Sequence, residues 1–388
     1  MASRGVEFVE ADFTRDTDST HWLPKLVGID AVINAVGIIR EKGSQTFESL
    51  HVRAPCALFD ACVQAGVERV INISALGADA NARSRYHLSK RRADQHLADL
   101  PLAWTIIQPS LVYGSGGTSA RLFSTLASLP IIPLPAGGNQ QVQPIHIDDV
   151  TAGINAVLTN AATHHSVISF VGPSPLTLRE FLAELRASLR LDRPRFMSIP
   201  LGLMRITARV GEIAPKSLLD TETLDMLMRG NVGDPSAMRS LLHREPLRPD
   251  QFIPEPEAPM TRTSAQLSWL LPLLRVSIAL VWIVTGIVSF GLYPVEASYQ
   301  LLARVGVPDT LAPLFLYGAA TFDLFLGIAT LLVRGRPLLW LCQLALILFY
   351  TAVISVRMPE FWLHPYGPLL KNLPMLAAIY LLYVLEKR

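Results

Sequence analysis

The sequence predicts an α/β domain built on a parallel sheet, followed by an all-α domain of four transmembrane helices. Three observations carry that reading. The first 250 residues alternate short apolar runs with amphipathic stretches, the signature of βαβ units. From residue 268 onward, apolar blocks of about 20 residues dominate, the length that a bilayer core requires. Half of the 388 residues are hydrophobic and the mean hydropathy is +0.34, which is too apolar for an ordinary soluble enzyme. The domains are thus 1–250 and 268–388, joined by a Pro-rich, polar linker at 251–267.

The remaining bulk properties exclude function classes. A formal net charge of +2 carries no nucleic-acid footprint. Cys56, Cys62 and Cys342 form neither a metal-ligand spacing nor a disulfide framework, which suits a reducing compartment. Residues 1–18 are mostly polar and lack the apolar core of a signal peptide.

In chain order, residues 5–12 read as a strand (Val6-Glu7-Phe8-Val9, ending at Asp12). Residues 30–35 form a second, apolar enough to be buried on both faces. A helix is expected over 45–65, with Gly66 as its stop. Strands follow at 69–74 and 104–108, separated by a helix over 82–97. A helix at 150–158, a strand at 167–171 and a helix at 177–189 come next. The last opens with Thr177 and Glu180 in capping-box spacing. Residues 197–228 read as mostly helical and amphipathic, suited to core packing or, as the alternative, to a membrane-surface or quinone-facing role.

The 82–97 helix carries Tyr86 and Lys90, four residues apart and so on one face. A neighbouring ammonium favours phenolate, so Lys90 is expected to lower the Tyr86 pKa and ready it for proton transfer. Around this pair stand a strand ending Glu10-Ala11-Asp12, then Val32-Ile33-Asn34-Ala35-Val36-Gly37, Ile73-Ser74-Ala75-Leu76-Gly77, Gln108-Pro109-Ser110-Leu111-Val112-Tyr113-Gly114 and Gln143-Pro144-Ile145-His146-Ile147-Asp148-Asp149-Val150. In that order they resemble the short-chain dehydrogenase/reductase superfamily. Within it, the chain is most similar to the atypical extended, NAD-dependent epimerase/dehydratase-like group that includes the accessory NADH:ubiquinone oxidoreductase subunit.

The resemblance implies a Rossmann-like fold, NAD or NADP as cofactor and a small-molecule substrate. It makes Tyr86 the acid/base and Lys90 its partner on the nicotinamide ribose. Ser74 would polarise the substrate oxygen, or else close the turn after its strand. Asp12 would meet the adenine, or else cap the turn before Thr14. Ala35, Val36 and Gly37 would line the cofactor by backbone, and Pro109 would lie beside the nicotinamide. His146, Asp148 and Asp149 are expected to hold the fold.

The superfamily's first strand leads into a Gly-rich turn that holds the pyrophosphate. No such turn precedes Asp12, so the first two strands are expected to be absent and tight cofactor binding is not expected in this form. A natural product beginning further upstream is the favoured explanation. A rearranged fragment and a partner that supplies the strands stay open beside it.

Beyond the linker, spans are expected at 268–290, 313–333, 337–356 and 369–385, in contact with the lipid bilayer. This half resembles the DoxX-like membrane family. Arg262, Arg275, Arg334, Arg336, Lys387 and Arg388 outnumber Arg304, Arg357 and Lys371, which places the soluble domain and both termini in the cytoplasm. Asp323 falls inside the second span, where an ionisable residue is costly and marks a site or an interhelical contact. The function expected is a membrane-tethered oxidoreductase acting on a carbonyl or alcohol, lipid- or quinone-related. The alternative is a scaffold that stabilises a membrane complex.

Overall fold

A computed structural model of the chain describes residues 5–213, 221–333 and 335–386. Arg334, Lys387 and Arg388, used above for orientation, lie outside the described residues. The chain divides into two compact units, one up to Ala265 and one from Gln266 onward.

The first unit is organised by a four-stranded, all-parallel sheet: β1 (Ala31–Asn34), β2 (Arg69–Ile73), β3 (Ala103–Pro109) and β4 (Ser166–Phe170), adjacent in that order. Ile71 on β2 pairs with Ile33 on β1 and Thr105 on β3, and Ile107 pairs with Ile168 on β4. Successive side chains of a strand point to opposite faces, and the two cores follow that alternation. Val70 and Ile106 pack beneath helices α1 (Ala54–Ala65) and α2 (Arg85–Ala98), with Trp22 and Leu26 closing that side. Ile71 and Ile107 face the other way, onto Val150 and Val157 of α3 (Ile147–Thr159). With helices on both faces, the strands are as apolar as such burial requires.

Local signals set the helix limits. Ser84 caps α2, accepting from the His87 N–H at 3.2 Å. Gly66 ends α1 in the left-handed region at φ 71°. Before α1, residues Glu48–Arg53 form a π-turn, a wider winding that suits the entry to Pro55, which has no N–H to give. The turn directs Leu50, His51 and Val52 inward. Helix α4 (Leu178–Ser188) carries the expected capping box and brings Phe181, Leu182 and Leu185 to a third core with Phe123, Ile132 and Leu134.

Three expectations change. Residues 5–12 form no strand, and Phe8 is 89% exposed. Alternating apolar residues make a strand only where a neighbouring ladder exists, and no described strand pairs there. Residues Phe196–Ile199 are not helical but pair in parallel with Ile132–Pro135; helices Leu201–Ile213 and α5 (Thr221–Arg229) follow. The stretch expected as a linker buries Phe252 and Ile253 in the third core, and a helix begins at Ala258.

The second unit is helical: α6 (Ala258–Ile287, which begins before the division), α7 (Ala312–Leu332), α8 (Pro337–Arg357) and α9 (Asn372–Glu386). The segment Ala258–Leu292 and helices α7 and α8 are long and apolar enough to cross a membrane. At 15 residues, or about 22 Å of rise, α9 is shorter than the usual span. Helices α6 and α7 meet through glycines. A Cβ on Gly286 would come within 2.8 Å of the Ala320 carbonyl, and one on Gly327 within 2.9 Å of the Ala279 carbonyl. Such small-residue contacts let apolar helices approach closely. Trp282 donates to Gln343 at 3.0 Å, and Gln343 to Thr330 at 2.7 Å, which ties α6, α8 and α7 together.

Candidate active site

Parallel α/β sheets bind ligands at the carboxyl ends of their strands, and the expected residues lie there. Asn34 ends β1, and Ala35, Val36 and Gly37 follow it. Ser74 follows β2, and Pro109 ends β3. Lys90 reaches across this edge from α2. Its buried ammonium donates to the Ile73 carbonyl at 3.0 Å and to the Val36 carbonyl at 3.3 Å, so it links the ends of β2 and β1. Gly37 leaves room for it, because a Cβ there would stand 3.1 Å from Nζ and 3.4 Å from Nε2 of His51.

Tyr86, Lys90 and Asp94 share one face of α2, each one turn from the next. The Tyr86 ring is half-buried among Phe47, His51 and His87, with centroids 6.0, 5.5 and 5.3 Å away. Its backbone N–H donates to Glu222 of α5 at 2.7 Å. Burial, seconded by the Asp94 charge, pushes the phenol up to about 12. Burial also pushes Lys90 down to about 8, against the opposing pull of Asp94. The expected lowering of Tyr86 by Lys90 is therefore corrected: the ammonium is spent on two backbone carbonyls, and desolvation dominates at the phenol.

Two polar chains support this face, and the sequence reading missed both. In one, Asn34 donates to Asn72 at 2.8 Å, Asn72 donates to Asp94 at 2.8 Å, and the Ser74 hydroxyl also donates to Asp94. Burial raises Asp94 to about 6 despite those donors. In the other, Nε2 of His51 accepts from the Ile38 N–H at 2.9 Å. Its proton therefore sits on Nδ1, which donates to Ser89 at 2.9 Å, and Ser89 donates to the Tyr86 carbonyl at 2.7 Å. Burial, with Lys90 nearby, holds His51 down at about 3. The i+4 step from Lys90 to Asp94 was visible in the sequence; His51 has no comparable signal.

Asp12 lies apart, exposed, with its carboxylate accepting from the Thr14 N–H and hydroxyl at 2.9 and 2.7 Å. Those bonds hold its pKa below the usual value. Asp149 is fully buried and accepts from Arg244 and the Leu247 N–H, and His146 caps α3. Beside the α2 N-terminus opens a cavity of about 1060 Å³, lined in part by Ile39, Phe47, Arg85, His87, Glu222 and Met226. The residues at the strand ends fit the nicotinamide half of a dinucleotide. Among the described residues, no Gly-rich turn leads from a strand of the four-stranded sheet into a helix: Gly114, Gly116 and Gly117 lie between the short strand Val112–Tyr113, outside that sheet, and the helix Thr118–Ser128. No cluster among the described residues could hold a metal.

Comparisons with known proteins agree with this architecture. Residues 1–128 match the NAD(P)H-binding family, and residues 279–380 match the DoxX-like family. The first unit is thus an NAD(P)-binding, epimerase-like Rossmann domain, and the second unit contains a DoxX-like domain. The chain is similar to the NADH-ubiquinone oxidoreductase 40 kDa subunit of Neurospora crassa, at 25% identity over 181 residues, 47% of each chain. It is also similar to a ceramide reductase of Caulobacter vibrioides, at 28% identity over 145 residues, 37% of this chain and 45% of that one. It spans about half the length of the curated relatives it matches. Among solved structures, a nucleoside-diphosphate-sugar epimerase from Staphylococcus aureus superposes with a TM-score of 0.53 at 17% identity, covering 64% of this chain and 84% of its own. That likeness concerns the fold.

Proposed function

We propose that the protein is a membrane-tethered NAD(P)-dependent oxidoreductase of the short-chain dehydrogenase/reductase type, acting on a carbonyl or alcohol of a lipid- or quinone-related molecule. The observation that carries this reading is the reach of Lys90 to the carboxyl ends of β1 and β2, with Asp94 of the same helix face bonded to Ser74 and Tyr86 one turn before Lys90. When bound, the dinucleotide would supply or take the hydride. With its pKa near 12, Tyr86 keeps its proton at neutral pH and can deliver it from Oη to a carbonyl oxygen. Lys90 is cationic below about pH 8 and holds the ribose side of the site. Ser74 orients the substrate oxygen, while Ala35, Val36, Gly37 and Pro109 form the wall. Four spans, with α9 as the last, would put the first unit and both termini in the cytoplasm.

A second reading is a scaffold within a membrane complex. It is favoured by the similarity to the 40 kDa subunit and by the lack, among the described residues, of a Gly-rich turn after any strand of the four-stranded sheet. The test is fluorescence titration of the full chain in lipid nanodiscs with NADH and NADPH, alongside turnover assays with quinone and ceramide-type ketones. Tyr86→Phe is expected to bind cofactor normally and to lose about 10²–10⁴-fold in turnover. Absence of binding by both nucleotides, in this chain and in a form extended upstream in the same reading frame, would sink the enzyme reading and leave the scaffold.

A further inference from the structure

Helix α7 buries one face, Leu316, Ala320, Asp323, Leu326, Gly327 and Thr330. Asp323 is 7% exposed on that face, and its Oδ1 has no hydrogen-bond partner. No donor among the described residues reaches this oxygen. That weighs against an interhelical clasp, the usual reason for a polar residue between membrane helices. An unpaired carboxylate in an apolar interior is costly, and the inexpensive form is the neutral acid.

The surroundings form a row. Thr330 of α7 faces Gln343 of α8 through their hydrogen bond. Two turns along α7 from Thr330 lies Asp323. Two turns along α8 from Gln343, in the opposite sense, lies Tyr350. The hairpin therefore sets Tyr350 opposite Asp323, and the two are in electrostatic reach. Trp282 of α6 joins the row by donating to Gln343. The row ends at Trp340, Arg275 and Arg336, which gather on Glu386. About 10 Å along the helix separates Asp323 from Thr330, a gap that a proton route would have to cross on water. Facing Asp323, α8 presents Tyr350. Helix α6 presents Ile283 and Gly286 to the same stretch of α7, neither of them ionisable, and the helix Val295–Arg304, which also packs on α7, brings Tyr299 to Tyr317.

We propose that Asp323 is a proton-exchanging site inside the second unit, loaded as the neutral acid and connected through the Thr330–Gln343–Trp282 row to the Glu386 end of the bundle. Release breaks the carboxyl O–H bond and passes the proton to water in the row; uptake reverses it. This does not depend on the chemistry of the first unit.

The full chain in lipid vesicles is treated with dicyclohexylcarbodiimide, a lipophilic reagent to which a protonated carboxyl adds to give an N-acylurea, and the adduct is mapped by mass spectrometry. The expected adduct falls on Asp323. Its yield drops by about tenfold per pH unit above the titration midpoint, and it is lost in Asp323→Asn and restored in Asp323→Glu. Infrared difference spectra in D₂O follow exchange of the acid proton. Gln343→Leu, which keeps the carboxyl and interrupts the row, slows exchange several-fold. An unlabelled Asp323 at every pH, or a yield flat with pH, overturns the proposal. An exchange rate unchanged in Gln343→Leu overturns the route.

Discussion

His51 shows what one buried ring does to a site. Neutral, it joins the loop after β1 to the first turn of α2, because its two nitrogens serve opposite roles. Its pKa is depressed from 6.5 to about 3. The unfolded chain therefore binds a proton that the folded chain refuses, and stability is lost as pH falls through that window. Asp94 works in the other direction. Raised from 3.8 to about 6, it binds a proton in the folded state first, so its contribution to stability grows as pH falls from about 6 to 3.8. The two slopes oppose each other in the native protein. In His51→Gln the opposing term is removed, and between about pH 6 and pH 4 chemical denaturation should show stability falling less steeply, or rising, relative to the unaltered protein. A slope identical to that of the unaltered protein would show that the ring is not neutral in the fold.

At the scale of elements, the turns matter as much as the helices they begin. Ser84 satisfies the His87 N–H and thereby fixes where α2 starts, hence where Tyr86 points. Ser84→Ala should cost about 1 kcal/mol of stability in urea titration and, because the first turn frays, should reduce turnover more than it weakens cofactor binding. Equal losses in both would detach the cap from the chemistry. What the sequence disclosed follows the same division. Strands β1 to β4, α2, the Gly66 stop and the Thr177 capping box rest on short-range pattern and were legible. So was the Tyr86–Lys90 pair, by helix spacing. The strand expected at 5–12 and the helix expected at 197–199 failed because strand pairing is decided by distant partners. His51 was hidden for the same reason: its role depends on a π-turn before Pro55 and on contacts with Ile38 and Ser89, none of which periodicity encodes.

The whole molecule couples an α/β unit to a bundle whose apolar helices are held by glycine contacts and a few hydrogen bonds. The proposed topology has a direct check. Protease added to sealed inside-out vesicles should remove the first unit and leave a protected fragment containing α6 to α9, while right-side-out vesicles should protect the first unit. The opposite pattern would reverse the orientation drawn from Arg275, Arg336 and the arginines and lysine outside the described residues.

The bond between Ser74 and Asp94 carries a consequence for the substrate. A hydroxyl has one hydrogen and two lone pairs, and at Ser74 the hydrogen is already given to the carboxylate. What remains for an incoming molecule is a lone pair. A lone pair can receive the hydrogen of an alcohol and has nothing to offer the oxygen of a ketone. Under the proposed function, Ser74 as folded would accept from the alcohol of the reduced member of a redox couple, and Tyr86 would be left to donate to the oxidised one.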